Sequence, residues 1–463
     1  MSTSLRKKYL GDRNFFNKFL MIAMPIAIQN GITNVVSMAD NIMVGQLGTP
    51  QMNGVSIVNQ VMLIATLCIF GAMAGAGIYT AQYYGNGNHD GVKYTFRFKV
   101  IIGAFIVAAS IIILSFLGED LIKLFLHSEN QGDIEITLKY GLDYLNVAKW
   151  SLVPFGLSQI YVSTMRETGQ TVVPMKAGIA AVVVNVVLNY VMIFGKFGCP
   201  MLGVQGAALA TICARIAESG IVMIWLHSHS KQNPFIVGAL RSLRMPPKLF
   251  LNILVKCVPL MVNEALWAGS VAMLNQSYST RGLDAVAGIN ICSTLTNVFN
   301  VFFIAAGEAI AIMVGQLLGA NKKEEARRAD TILCVYSVLG SAMLSVFMVA
   351  CAPFFPMLYN TTDTVRSLAT GFIIIIACLL PVQAFTNASY FTLRSGGNTF
   401  ITFVFDSVYM WCFTVPIAFV ITRYTSIPIV AVYAICQSLE IFKAVIGFIF
   451  VKKGVWINNI VDN

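Results

Sequence analysis

The sequence predicts an all-α membrane protein of twelve spanning helices, arranged as two six-helix lobes, and three observations carry that reading. Hydrophobic residues make up 57% of the 463 positions and charged residues only 11%, whereas a soluble globular chain carries about 25% charge. Twelve apolar stretches are long enough to cross a bilayer, which takes about 20 residues as a helix. Stretches of the first half also return in the second half, two helices of them without a gap at one fixed offset.

The spans fall approximately at 15–44, 52–84, 98–118, 136–164, 173–195, 203–226, 250–279, 285–318, 329–352, 366–393, 399–422 and 427–451, with charged residues near their ends counted to the adjoining loops. The opening SLRKKYLGDRNFF leads into a span too long for a signal-peptide apolar region, so the first span is expected to stay in the mature protein. Placing the N-terminus in the cytoplasm puts 22 Lys and Arg on that side and 7 outside, with Arg215 and Lys443 inside spans. The positive-inside rule then predicts a multi-pass protein of the cell inner membrane with both termini cytoplasmic. Arg6, Lys7 and Lys8, the run Lys231, Arg241, Arg244 and Lys248, and the Lys322–Arg328 turn read as topology signals. The net charge of +10 is accounted for in this way, without nucleic acid.

A shift of 234 positions sets Pro25 on Pro259, Asn41 on Asn275, Gly48 on Gly282, Gly54 on Gly288, Gln82 on Gln316 and Gly85 on Gly319. A shift of 228 sets Arg166, Gly169 and Thr171 on Arg394, Gly397 and Thr399. The repeat unit is six spans, and because six is even both copies cross in the same sense. A pseudo-two-fold axis along the membrane normal follows, which is a transporter architecture. The expected division is an N-terminal lobe at 1–226, a cytoplasmic linker at 227–249 and a C-terminal lobe at 250–463. In the repeated turns Gly suits the left-handed end of a helix, Thr suits a cap, and Arg suits a reach to lipid headgroups. Pro25 and Pro259 favour bends at equivalent places.

Polar groups within the spans are the candidate site. Asp40, Glu218, Glu264, Glu308, Asp406 and Glu440 are read inside spans, accompanied by Arg215 and Lys443. An ionised group near the bilayer centre costs about 2.5–3.5 kcal/mol on insertion scales, so each must be paired, protonated, ion-bound or wetted. Arg215 with Glu218, and Glu440 with Lys443, are three residues apart and read as structural ion pairs. Asp40, Glu264, Glu308 and Asp406 then remain without an obvious basic neighbour, and such uncompensated acids hold protons or attract cations. Gln29, Asn34 and Asn41 share the first span with Asp40, and Asn185 and Asn189 lie one turn apart on the fifth. Oxygen-rich groups of this kind suit a proton, sodium or small-cation site, or else an interhelical hydrogen-bond network. The 31 Phe and 21 Met residues offer surfaces for flat organic cations.

Other chemistries find no support. The ten cysteines show no CxxC pair and the four histidines sit in loops, so neither a metal site nor a disulfide is expected. No histidine in a span could serve an embedded hydrolase, and no GxxxxGK[ST] loop could bind ATP. No cofactor, enzyme activity or protein partner is expected, and the chain is expected to act as a monomer.

With SMADNIMVGQLG in the first span, the turns RETGQTVVP and LRSGGNT, NVVLNYVMIFG, GVQGAALAT and VPLMVNEALW in this order, the chain resembles the multidrug and toxic compound extrusion (MATE) family of bacteria along its full length. The resemblance implies a secondary antiporter that exports cationic, often aromatic small molecules in exchange for H+ or Na+. It implies an ion-coupling role for Asp40 with Asn185 nearby, and for Glu264 and Asp406 in the other half. Asn189 departs from the pattern, since many relatives carry aspartate there. A flippase of lipid-linked precursors with related architecture, or an exporter of an endogenous metabolite, is the alternative. The acids themselves are not repeated: Asp40 has Leu274 as its counterpart, and Glu264 has Asn30.

Overall fold

The computed structural model describes residues 11–126 and 131–462, so Arg6, Lys7, Lys8 and His127 lie outside the described residues. Among the described residues fourteen α-helices build the spans: α1 (Arg13–Gly45), α2 (Thr49–Gly85), α3 (His89–Lys123), α4 (Gln131–Ala148), α5 (Leu152–Glu167), α6 (Val172–Phe194), α7 (Gly203–Ser228), α8 (Pro247–Ser279), α9 (Leu283–Gly319), α10 (Lys323–Cys351), α11 (Asp363–Ser395), α12 (Thr399–Phe403), α13 (Val415–Tyr424) and α14 (Ile429–Lys453). Among the described residues eleven helical segments are long and apolar enough to cross a membrane.

Two expected spans are not single regular helices. The fourth is divided between α4 and α5 by a tight 3-10 turn at Lys149–Ser151. Pro154, with no N–H to offer the preceding turn, explains the break. In the eleventh, α12 and α13 flank two π-helical segments, Val404–Val408 and Met410–Thr414. Asp406 lies in the first of them, and Pro416 follows at the start of α13. Single π turns are rare and concentrate at functional positions.

Contacts divide the chain into two compact units, a first of Ile28–Thr80 with Asn88–Met261 and a second of Met1–Ala27, Ala81–Gly87 and Val262–Asn463. This differs from the expected division at 226 and 250. The 227–249 linker packs wholly into the first unit, and α1 and α8 each change unit two residues past a proline, after Ala27 and after Met261. Pro25 and Pro259 lie inside these continuous helices. Each removes a backbone donor and so favours a bend, close to where its helix passes from one unit to the other.

Glycine lets backbones meet within each unit. In the first, a Cβ on Gly71 would come 2.6 Å from the Met261 backbone, and one on Gly54 2.8 Å from the Gly141 backbone. In the second, the repeat brings its own signature together: a Cβ on Gly85 would strike the Gln316 carbonyl, and one on Gly319 would strike the Gln82 carbonyl. The ends of α2 and α9 therefore cross as a local two-fold pair. The turns behind them repeat too, with Gly87 at φ 71° and Asn321 at φ 57°, and Gly169 at φ 84° and Gly397 at φ 76°. Asn is one of the few non-glycine residues that visits this region readily.

A clasp from the C-terminal segment covers that crossing. The fully buried Gln82 amide donates to Ser395 O at 3.0 Å and Asn458 O at 3.1 Å, and accepts from Ile460 N at 2.9 Å. Trp456, 1% exposed, joins the core formed by Ile26, Ala305, Ala309, Val314 and Leu393. The expected capping by threonine is not found. Thr171 stands at the N-cap of α6 without a side-chain capping bond. Thr399 lies one residue inside α12, behind Asn398.

Candidate functional site

Two polar clusters form, one inside each unit. In the first unit α1 presents Asp40 to the face of α6 that carries Asn185 and Asn189. Asn189 Nδ2 donates to Asp40 Oδ1 at 2.5 Å. Asn185, with its amide nitrogen turned to the carboxylate, donates to Oδ1 at 2.8 Å and Oδ2 at 3.2 Å. The four-residue spacing that suggested a shared face delivers both amides to one carboxylate. Both asparagines are buried, at 5% and 1% exposure. Asn189 Oδ1, also buried, has no hydrogen-bond partner. Thr211 of α7 stands 3.5 Å from the Asn185 amide, and the Tyr144 phenol of α4 and the Arg215 guanidinium lie within electrostatic range of Asp40. Among the described residues no base forms an ion pair with Asp40. Arg215 instead holds Glu218 at 2.9 Å, as their spacing predicted, and rests over the Phe155 ring.

The other amides of the first span do not join Asp40. Gln29 is buried and accepts from Arg166 at 2.6 Å. Asn34 and Asn41 are exposed, and neither bonds to another described residue. The contact between Gln29 and Arg166 also corrects the expectation for the repeated arginines: Arg166 turns inward to Gln29, and Arg394 lies over the Phe391 ring and bonds to Tyr390.

The second cluster overturns the view that Asp406 lacks a base. Lys443 Nζ stands 2.7 Å from Asp406 Oδ1 and 3.8 Å from Glu440. The pairing of Glu440 with Lys443 exists but is the longer of the two contacts. Side-chain exposures of 6% for Lys443 and 15% for Asp406 make this a buried pair. Asn263 Nδ2 donates to the second carboxylate oxygen at 3.1 Å, and Ser407 Oγ donates to Asn263 at 2.8 Å. Asp406 is thus compensated and hydrogen-bonded on both oxygens. Glu264, next to Asn263, is half-buried within electrostatic range of Arg394 and Asp406, and forms no ion pair among the described residues. Glu308 is half-buried beside Gly307. A Cβ on Gly307 would strike the Phe391 ring, so small residues do bring α9 and α11 together there.

Two buried groups escaped the sequence reading. Lys99, counted there as a cytoplasmic charge, is fully buried and pairs with Glu167 at 2.5 Å, with Ser163 and Thr164 completing its bonds at 3.0 and 3.2 Å. Asp330 is 1% exposed and bonds to Thr392 at 2.5 Å. Partners on other helices leave no i,i+3 or i,i+4 trace in sequence. Among the described residues no group of His, Cys, Asp and Glu is arranged to hold a metal ion.

Comparison with known proteins agrees with this architecture. The MatE family model matches residues 25–191 and 259–420, so its two copies begin at Pro25 and Pro259, the repeat found in sequence. A probable multidrug resistance protein NorM of Thermotoga maritima is 25% identical over 461 residues, covering 98% of this chain and 97% of its own length. A probable multidrug resistance protein YoeA of Bacillus subtilis is 22% identical over 448 residues, covering 94% of each. Among solved structures, the outward-facing conformation of a multidrug resistance MATE family transporter of the MOP superfamily superimposes with a TM-score of 0.85 at 16% identity over 95% of both chains. The crystal structure of MATE in complex with MaL6 superimposes with a TM-score of 0.84 at 17% identity, covering 98% of this chain and 99% of the other. With the family model matched in both halves and the fold shared along the full length, the chain belongs to the MatE family and is a multi-pass membrane transporter rather than an enzyme.

Proposed function

We propose that the protein exports small organic cations in exchange for H+ or Na+, and that Asp40 is the group on which the exchange turns. One observation carries the assignment. Asp40 is held by two buried asparagines and, among the described residues, is ion-paired to no base, beside a buried Asn189 carbonyl oxygen that has no donor among them. Such a site accepts a positive charge. Carboxylate, amide and hydroxyl oxygens form the ligand set of a hard cation, and the same carboxylate can take a proton instead. Asp406 has a lysine in the corresponding role, so a transported cation would have to displace Lys443 to reach it. The coupling role anticipated for both halves is therefore assigned to Asp40 alone, with Asn185 and Asn189 as its positioning groups.

Multidrug substrates are named for the relatives, and the open acid in this chain fits cationic members of that class. An anionic lipid-linked precursor would meet Asp40 as a like charge, and that alternative is set aside. No cofactor is required for such exchange. An inner-membrane location with cytoplasmic termini, and action as a monomer, complete the proposal.

The test is uptake of a fluorescent organic cation into proteoliposomes under a proton gradient and a sodium gradient imposed separately. Acceleration by either gradient supports exchange, and the one that accelerates names the ion. Equal uptake with and without both would refute it.

A further inference from the structure

The segment between α7 and α8 is more ordered than a topology signal requires. It is pinned at its start by Gln170, whose amide donates to Asn233 Oδ1 at 2.7 Å. Successive three-residue turns follow: Ile236 N to Asn233 O, Val237 N to Pro234 O, Ala239 N to Ile236 O and Arg241 N to Gly238 O, at 3.1 to 3.3 Å. Val237 is extended and Gly238 takes φ 69° between these turns, so the run is a chain of turns that continues past the short 3-10 helix Pro234–Ile236. Ile236 and Ala239 face inward at 3% and 0% exposure, while Val237 and Leu240 face outward at 57% and 48%, and Leu243 follows at 45%.

Arg97 of α3 fastens the run from beneath, donating to Ala239 O at 2.9 Å, Arg244 O at 2.9 Å and Gly238 O at 3.3 Å. Around the three outward aliphatic residues stand Lys231, Arg241, Arg244 and Lys248, all exposed. Their side chains bond to no other described residue. No acidic residue occurs between Glu218 and Glu264, so nothing in the segment neutralises them.

A rigid surface that alternates exposed aliphatic and unpaired basic residues has the chemistry of an element lying in the membrane interface. Its two ends continue into spanning helices, at Ser228 and Pro247, so the nearest surface of opposite charge is the headgroup layer. We propose that residues 231–248 are a docking element for acidic phospholipids. Val237, Leu240 and Leu243 enter the boundary between headgroups and acyl chains, while Lys231, Arg241, Arg244 and Lys248 hold the phosphates.

Hydrogen exchange of the full-length protein in nanodiscs tests this. Amides of 237–244 are expected to exchange more slowly in discs of mixed phosphatidylcholine and phosphatidylglycerol than in phosphatidylcholine alone. The difference should vanish in the Arg241→Gln/Arg244→Gln/Lys248→Gln variant, each lost base removing about fivefold in preference for the anionic surface. In Leu240→Ser/Leu243→Ser, exchange should quicken in both lipids. Equal exchange in the two lipids for the wild-type protein overturns the proposal, whatever the variants do. So does a difference that survives loss of the three bases. Equal slowing by glycerol phosphate added to detergent-solubilised protein would assign a soluble anion site instead, and would overturn it as well.

Discussion

Removing Lys443 should harm the protein far more than removing Lys443 and the charge of Asp406 together. The pair is 6% and 15% exposed and closes at 2.7 Å, so Lys443→Met leaves a buried carboxylate facing Glu440 with no cation. Breaking a buried pair from one side costs about 3–5 kcal/mol, whereas replacing both charges is often neutral. Asp406→Asn keeps an oxygen to accept from Asn263, so the double variant Asp406→Asn/Lys443→Met should fall within about 1 kcal/mol of wild type. Lys322→Ala supplies the scale, since its pair with Glu325 is 54% and 61% exposed and should cost under about 1 kcal/mol. The assay is denaturant or thermal unfolding in one detergent for the single variants, the double variant and the control. A cost under about 1 kcal/mol for Lys443→Met, or a double variant as damaged as the sum of its singles, would refute the reasoning.

The local two-fold crossing gives a second test: Gly85→Ala and Gly319→Ala each push a Cβ into backbone, and should lower stability by about 1–3 kcal/mol. Gly220→Ala, where nothing lies within 4 Å, should be neutral or stabilising in the same unfolding assay. For the C-terminal clasp, Trp456→Ala should cost about 3–5 kcal/mol as a buried large-to-small change, with faster proteolysis after Lys453 as an independent readout. Asn189→Asp places a second carboxylate on Asp40. Sodium should then stimulate transport at lower concentration than in wild type, and an unchanged sodium dependence would count against a cation site there.

Much of the fold was legible because its cause is local or repeated. Apolar runs set the spans, and the 234-residue shift singled out Gly85 and Gly319 before their close approach was visible, and Pro25 and Pro259, which lie inside continuous helices. The shared face of Asn185 and Asn189 followed from helical spacing alone. What sequence could not give was any partner on another helix. Lys443 was read with Glu440 because both lie on one helix, yet its nearer carboxylate, Asp406, is 37 positions away. Lys99 was not singled out, being counted only in the total of cytoplasmic Lys and Arg, yet it is buried against Glu167, 68 positions on. The contact-defined units follow other bounds than the repeat does, because a proline in sequence does not tell in which unit the helix continues.

The central claim is that exchange runs through Asp40 and not Asp406. It is tested most directly by organic-cation uptake into proteoliposomes under the driving gradient, comparing Asp40→Asn with Asp406→Asn/Lys443→Met at matched amounts of folded protein. The account expects the gradient to lose its effect in Asp40→Asn and to keep it in the double variant. Gradient-driven uptake that survives in Asp40→Asn and disappears in the double variant would contradict it.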